Sequence, residues 1–264
     1  MKTTRLLRWE AGSAPRREAD ELAVEEPLEI QIDTRPLCVI MRTPGHDAEL
    51  AAGFLLTEGL ITQAGDIRQI KPYPRNKEQN VLSVFLAPEV AVDFARLSRH
   101  GFTSSSCGLC GKTTIAAVHQ HFKPVKSSLS VTAQKLLELP GRLRGGQNTF
   151  DRTGGLHAAA VFTSAGKLVA LREDVGRHNA VDKVLGYGLL HKLLPFDRHI
   201  LMVSGRASFE IMQKALAARI PVVCAVSAPS SLAVQFARQS RQTLVGFLRG
   251  ERLNVYAGSA RIKF

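Results

Sequence analysis

The second half of the chain alternates short apolar runs with helix-length stretches. No other feature of the sequence restricts the fold as much. Residues 200–203, 222–226 and 244–248 are apolar runs of strand length, and residues 208–219 and 231–238 separate them with two to three helical turns each. Ahead of them, residues 159–162 and 168–172 read as a hairpin around Ala165-Gly166. The stretch that follows places Val181, Val184, Leu185 and Leu189 on one helix face. This rhythm predicts a parallel sheet covered on both faces. Such sheets bind ligands beyond the carboxyl ends of their strands. Four segments fall at those ends: Arg172-Glu-Asp-Val-Gly-Arg-His-Asn179, Ser204-Gly-Arg-Ala-Ser208, Ser227-Ala-Pro-Ser-Ser231 and Arg249-Gly-Glu-Arg252. All are rich in small polar residues and arginines.

The first half has a different texture. Residues 1–25 are polar, with Arg16-Arg17 followed by Glu18, Asp20, Glu21 and Glu25, and are expected to be a flexible lead-in. Leu28, Ile30 and Ile32 alternate with polar neighbours as a half-buried strand does, and residues 37–41 predict a second strand after the Arg35-Pro36 turn. Thr43-Pro-Gly-His-Asp47 opens a helix carrying Leu50, Phe54 and Leu60, with Gly59 as its terminator. Residues 72–80 read as loop and 81–86 as strand. Residues 127–139 hold a short helix capped by Thr132. Residues 140–153, with Pro140, Gly141, Gly145 and Gly146, read as a long loop or boundary. The expected division is a lead-in over 1–25, an α+β unit over 26–126 and an α/β domain over 127–264.

A chain of 264 residues can build one large domain or two modest ones. No apolar run reaches the ~18 residues of a membrane span. The N-terminus is charged and lacks a signal-peptide core, so a cytoplasmic protein is expected. The net charge of +12 favours an anionic partner. The basic residues are scattered and not interleaved with aromatics, which argues against nucleic acid.

Four cysteines are too few for a disulfide scaffold in a chain this long. Cys38 and Cys224 sit in strand-like apolar runs and read as inert. Cys107 and Cys110 lie in Gly101-Phe-Thr-Ser-Ser-Ser-Cys-Gly-Leu-Cys-Gly-Lys112, a loop that yields to a helix after Gly111. A free thiol is only about a tenth ionised at neutral pH; a helix N-terminus and the nearby Lys112 would raise that fraction. The pair suits a nucleophilic or sulfur-carrying thiol. A thioredoxin-like dithiol is the competing reading, although the pair lies outside the βα repeat. Zinc is disfavoured: one cysteine pair cannot make a four-cysteine site, and His119 and His121 are spaced too closely for a finger.

Several motifs in order carry a resemblance: Pro44-Gly-His-Asp-Ala-Glu-Leu-Ala-Ala-Gly-Phe-Leu-Leu-Thr-Glu-Gly59, Ser105-Ser-Cys-Gly-Leu-Cys-Gly-Lys112, Asp174-Val-Gly-Arg-His-Asn-Ala-Val-Asp-Lys183, Ser204-Gly-Arg-Ala-Ser208 and Gly246-Phe-Leu-Arg-Gly-Glu-Arg252. From about residue 25 to its end the chain resembles the formate dehydrogenase accessory sulfurtransferases, the FdhD/NarQ family. The resemblance implies an α/β fold: a three-layer, cytidine-deaminase-like C-terminal domain with a smaller α+β N-terminal domain. It implies that Cys107 takes sulfur from a cysteine desulfurase as a persulfide, with Cys110 as its partner. The sulfur would pass to the molybdenum or tungsten of a bis(molybdopterin guanine dinucleotide) cofactor destined for formate dehydrogenase, and GDP would mimic that cofactor. A cofactor chaperone without sulfur transfer is the alternative. Phe247, Leu248, Arg249, Gly250, Glu251 and Arg252 match the family's cofactor-binding stretch, and a homodimer is implied. Arg177, Arg206 and Arg249, clustered at one sheet edge, are further candidates for the cofactor, with His178 and Ser204 beside them. Where deaminases carry a His-x-Glu zinc motif, this chain has His157-Ala-Ala159 and no later cysteine pair, so deamination is not expected.

Overall fold

The polar N-terminus pairs with itself. The structure, a computed structural model, describes residues 1–73, 80–94 and 122–264. β1 (Lys2–Arg8) and β2 (Arg16–Leu22) form an antiparallel hairpin where composition predicts a flexible lead-in. Charges that look disorder-prone in sequence are complementary across the hairpin: Arg8 pairs with Glu18, and Arg16 with Glu10 and Glu18. Arg152 donates to the Glu21 carboxylate and ties the hairpin to the body.

The alternation at Leu28, Ile30 and Ile32 becomes β3 (Glu26–Ile32), which pairs antiparallel with β4 (Arg35–Arg42). α1 (Asp47–Thr57), β5 (Ile67–Pro72) and β6 (Val81–Leu86) complete a four-stranded sheet of order β4-β3-β6-β5 with one helix on it. Leu28, Ile30 and Val84 from the sheet and Leu50 and Leu55 from α1 make its buried core.

β7 (Val131–Thr132) leads into α2 (Ala133–Arg144), whose N-cap Thr132 accepts a bond from the Lys135 amide. α2 runs through Pro140, and α3 (Asn148–Thr153) follows, so residues 140–153 are largely helical and not a loop. Leu136, Leu139 and Leu143 form one buried stripe. A proline inside a helix costs about 3 kcal/mol. Burying a leucine returns about 1.5–3 kcal/mol, so the stripe carries the helix past its proline.

The rest of the chain supplies β8 (His157–Thr163), β9 (Leu168–Asp174), α4 (Arg177–Leu190), β10 (His199–Val203), α5 (Phe209–Ala217), β11 (Val222–Ala225), α6 (Ser231–Gln239), β12 (Thr243–Arg249), β13 (Arg252–Ala257) and β14 (Ile262–Lys263). The six-stranded sheet has order β13-β12-β11-β10-β8-β9. It is mixed where the alternation predicts a parallel sheet. β10, β11 and β12 run parallel, while β8 is antiparallel to both its neighbours and β13 is antiparallel to β12. Hairpins at the two ends cause this, since a strand joined by a short turn must reverse. β9 reverses twice relative to β10 and so points the same way. The carboxyl ends of β9, β10, β11 and β12 therefore share one edge.

α4, α5 and α6 cover one face over Val161, Leu201 and Val223; α2 covers the other over Phe162, Ile200, Met202 and Val245. The C-terminal β14 pairs with β7 beside α2. Among the described residues no helix is long and apolar enough to cross a membrane.

α4 also packs on α1, and this crossing joins the two halves of the molecule. A Cβ added to Gly53 would lie 1.9 Å from the Asp182 carbonyl oxygen, and one added to Gly186 would lie 1.8 Å from that of Glu49. Only glycine allows the two backbones to come this close. Beside the crossing, Lys214 of α5 donates to both Asp182 oxygens at 2.8 and 2.9 Å and to Thr57 of α1 at 2.9 Å.

Candidate functional site

The loops beyond the strand ends are stitched laterally into one ledge. Ser204 exchanges two bonds with Ala158, its amide donating to the Ala158 carbonyl and its Oγ accepting from the Ala158 amide, both at 2.9 Å. The Ala207 amide donates to Ala228, the Ser230 amide to Ala207 and the Phe247 amide to Ser227, at 3.0–3.2 Å. Three helices begin here: α4 after Gly176, α5 after its cap Ser208 and α6 after its cap Ser230. Their first amides and positive dipole ends gather on one side, an arrangement that suits an anion.

The Asp174–Lys183 motif divides its labour. Asp174 is buried and fully used: it accepts from the amides of Thr43 and Gly176 and from Asn179, and pairs with Lys183 at 2.7 Å. Lys183 also donates to the Thr43 carbonyl at 2.8 Å, and Asn179 to that of Met41 at 2.8 Å. These residues fasten the start of α4 to the N-terminal unit and cannot hold a ligand.

Arg177 and His178 are what the motif presents to the ledge. Arg177 is half-buried, and its Nε is buried without a hydrogen-bond partner. Its side chain lies near Gly205 and His157. His178 is buried, with Nε2 3.2 Å from the Ser208 Oγ and 3.9 Å from Glu210. Burial, followed by the positive charges of Lys214 and Arg177, pushes its pKa down to about 3, so it is neutral at physiological pH. Burial and Arg177 lower His157 as well. A neutral imidazole pair beside Arg177 offers hydrogen-bond donors, with the Glu210 carboxylate 3.9 Å from His178.

The C-terminal candidates separate on inspection. Phe247 has φ 51°, and its ring lies 5.7 Å beneath the Arg249 guanidinium. Leu248 is fully buried in the core on the α2 side, so its side chain is not available to a ligand. Arg249 and Arg252 face each other across the turn at Gly250 (φ 58°) and Glu251, and all four are exposed. Arg206 is exposed beside Ser204.

Sequence reasoning missed a cleft beside the ledge. A cleft of about 510 Å³ opens beside Ser204 and His157 and runs beneath α2 and α3, lined also by Leu143, Gln147, Phe150 and Val226. Its far wall belongs to the stretch 140–153, which the glycines and Pro140 made look like loop; the period of Leu136, Leu139 and Leu143 was the signal available. Cys107, Cys110, Lys112, His119 and His121 lie outside the described residues. Cys224 is buried, and burial pushes its thiol pKa far up; Cys38 is half-buried in β4. No group of three His, Cys, Asp or Glu among the described residues could hold a metal ion.

A two-unit α/β fold with an anion-suited ledge matches known proteins over its length. The model of the FdhD/NarQ family matches residues 23–263, and this chain belongs to that family. It is 51% identical over 251 residues to the sulfur carrier protein FdhD of Streptomyces coelicolor, covering 92% of this chain and 89% of that one. It is 49% identical over 253 residues to the Mycobacterium tuberculosis protein of the same name, covering 92% of each. With that of Saccharolobus solfataricus it shares 42% over 249 residues, covering 93% and 92%. The crystal structure of a formate dehydrogenase accessory protein from Desulfotalea psychrophila superposes with a TM-score of 0.81 at 26% identity, over 99% of each chain.

Proposed function

We propose that the chain is a sulfur carrier for formate dehydrogenase. The family match over 23–263 carries this reading, and relatives named as sulfur carriers favour it over a dithiol oxidoreductase. In this reading Cys107 is the carrier. Its thiolate attacks the outer sulfur of a cysteine desulfurase persulfide; a Cys107–S bond forms, the desulfurase thiolate leaves, and no net oxidation occurs. Cys110 stands by as the second thiol. The acceptor is the metal centre of a bis(molybdopterin guanine dinucleotide) molybdenum or tungsten cofactor, handled as substrate and passed to formate dehydrogenase. The protein works in the cytoplasm as a homodimer.

The ledge supports the cofactor part of the proposal. A diphosphate needs several donors at once, and Arg177 offers a buried, unpartnered Nε between helix N-termini. Ser204, Arg206, His178 and the Phe247–Arg252 turn lie along the same sheet edge, with Leu248 contributing backbone only. The arrangement of α2, the sheet and α4–α6 is read as deaminase-like, but Ala159 is buried in β8 where a catalytic glutamate would be needed.

The test has two arms. After incubation with a cysteine desulfurase and cysteine, mass spectrometry should find one extra sulfur on the Cys107 peptide and none after Cys107→Ser. A Cys107 peptide that stays unmodified in the wild type refutes the carrier role. Calorimetry should show GDP binding that weakens at least about tenfold when Arg249 and Arg252 are both replaced by alanine, since a charge-assisted bond is worth about 1.5–3 kcal/mol.

A further inference from the structure

The N-terminal hairpin carries an exposed face of mixed apolar and basic character. Met1, Leu7, Trp9 and Leu22 are 46–65% exposed and make up half of the large exposed apolar side chains among the described residues, so apolar surface is concentrated here. Side chains of a strand alternate between its faces. On one face of the hairpin Thr4, Leu6, Glu18 and Asp20 are half-buried; on the other Arg5, Leu7, Arg17 and Ala19 are exposed, with Arg5 opposite Ala19 and Leu7 opposite Arg17. Trp9 follows just past the end of β1. Among the described residues Arg5 and Arg17 make no ion pair, whereas Arg8 and Arg16 both meet Glu18. The outer edge of β1 is open as well: the sheet has two strands among the described residues, and β2 is the one held to the body through Glu21 and Arg152. Such an edge presents a row of unpaired backbone N–H and C=O groups. The hairpin precedes residue 23, where the family match begins, so the fold shared with the sulfur carriers does not account for this face.

We propose that β1 is a docking strand for an extended, acidic segment of another protein, which adds to the hairpin as a third strand. The charges select the partner. β1 carries Lys2, Arg5 and Arg8 and no acidic residue. A second copy of β1 would set like charges side by side, which destabilises strand pairing. The strand that β1 already accepts, β2, brings Glu18, Asp20 and Glu21. An incoming strand of the same character gives Arg5 and Arg17 the carboxylates they lack. Its apolar residues pack on Leu7 and Trp9, and exposed tryptophan and arginine of this kind anchor many protein interfaces. Backbone bonds to the β1 edge supply affinity, and the alternating side chains supply specificity. The open edge favours a peptide over an anionic membrane, which would use the charge and the indole but leave the backbone groups unanswered.

Trp9 is the only tryptophan in the chain, so its emission reads this face alone. The probe is a synthetic seven-residue peptide, the length of β1, that alternates glutamate with isoleucine. Titrated into the full chain, it should shift Trp9 emission to the blue and saturate, and the matching lysine peptide should bind at least tenfold more weakly. In the Arg5→Glu, Arg17→Glu double variant that preference should invert, an outcome that an unfolded hairpin cannot give. Methylating every amide nitrogen of the glutamate peptide should abolish the shift. If the methylated peptide binds as well as the parent, the contact is charge alone and strand addition is wrong. If the glutamate peptide leaves Trp9 unchanged, or binds no better than the lysine peptide, the acidic partner is wrong. A shift with phosphatidylglycerol vesicles and none with the peptide overturns the proposal in favour of a membrane surface. Trp9 emission that follows protein concentration, with a sedimentation mass that falls in Trp9→Ala, overturns it in favour of a second copy.

Discussion

Acid should destabilise this protein through His178 as pH falls below the ordinary histidine range. The imidazole is 5% exposed, and burial together with the charges of Lys214, Arg177 and His157 holds its pKa near 3 in the folded chain. Glu210, 3.9 Å away, does not reverse this. In the unfolded chain the value is about 6.5. Between these values the unfolded state takes up a proton that the folded state refuses, so stability falls as pH falls through that window. Each pH unit is worth about 1.36 kcal/mol, so moving from pH 7.5 to 5.0 should remove about 2 kcal/mol through this residue alone. His178→Gln keeps a partner for the Ser208 Oγ but carries no titrating group. Urea unfolding of both proteins at the two pH values measures the effect as a difference of differences. His46, His157 and His199, which burial also lowers, act in both proteins and cancel. A difference below about 0.5 kcal/mol would mean that the folded chain can protonate His178, and the description of the ledge as a neutral imidazole beside Arg177 would be wrong.

Three further outcomes are expected. Lys214→Met leaves Asp182 buried without its counter-charge and should cost about 3–5 kcal/mol by urea unfolding, while the Asp182→Leu, Lys214→Met double variant should recover much of the loss. Burial works against the Lys214 ammonium, but Asp182, with Glu58 behind it, outweighs burial and raises its pKa, while burial raises the pKa of Asp182 despite Lys214. Gly186→Ala forces a methyl toward the Glu49 carbonyl oxygen and should destabilise by about 1–3 kcal/mol or more, read as a lower Tm. Cys224, buried with a strongly raised pKa, should resist iodoacetamide in the native protein and react only after unfolding, as peptide mapping would show.

The elements of the C-terminal half were legible because each is short, strongly patterned and bounded. The 3.6 period at Val181, Val184 and Leu185 and the apolar runs of β10 to β12 survive any tertiary context. The direction of β8 and β13 was not legible, since alternation of strand and helix carries no sign of strand reversal beyond short turns. Pro140 misled for a physical reason: its local cost is real, but the leucine stripe that pays for it is visible only as burial. In the site, Arg177 and His178 were identifiable, while Asp174, Asn179 and Lys183 of the same motif turned out to be fasteners.

Those fasteners decide how the two halves of the molecule relate. Thr43 sits between β4 and α1 and is bonded at three atoms to the C-terminal half: its amide donates to Asp174, its Oγ1 accepts from the Val175 amide and its carbonyl accepts from Lys183. Just before it, buried Arg42 grips both Asp47 oxygens at 3.0 Å, which fixes the turn between strand and helix. Just after it, Glu49 makes a bidentate pair with Arg172, which also stacks on Tyr187. The glycine crossing of α1 and α4 then removes any room for sliding. Most of these bonds converge within a few residues of Arg177. An N-terminal unit that shifted would therefore break buried charge contacts around Asp174 and misplace Arg177. The ledge is thus held in place by both halves of the chain, although the described residues that face it come from the second.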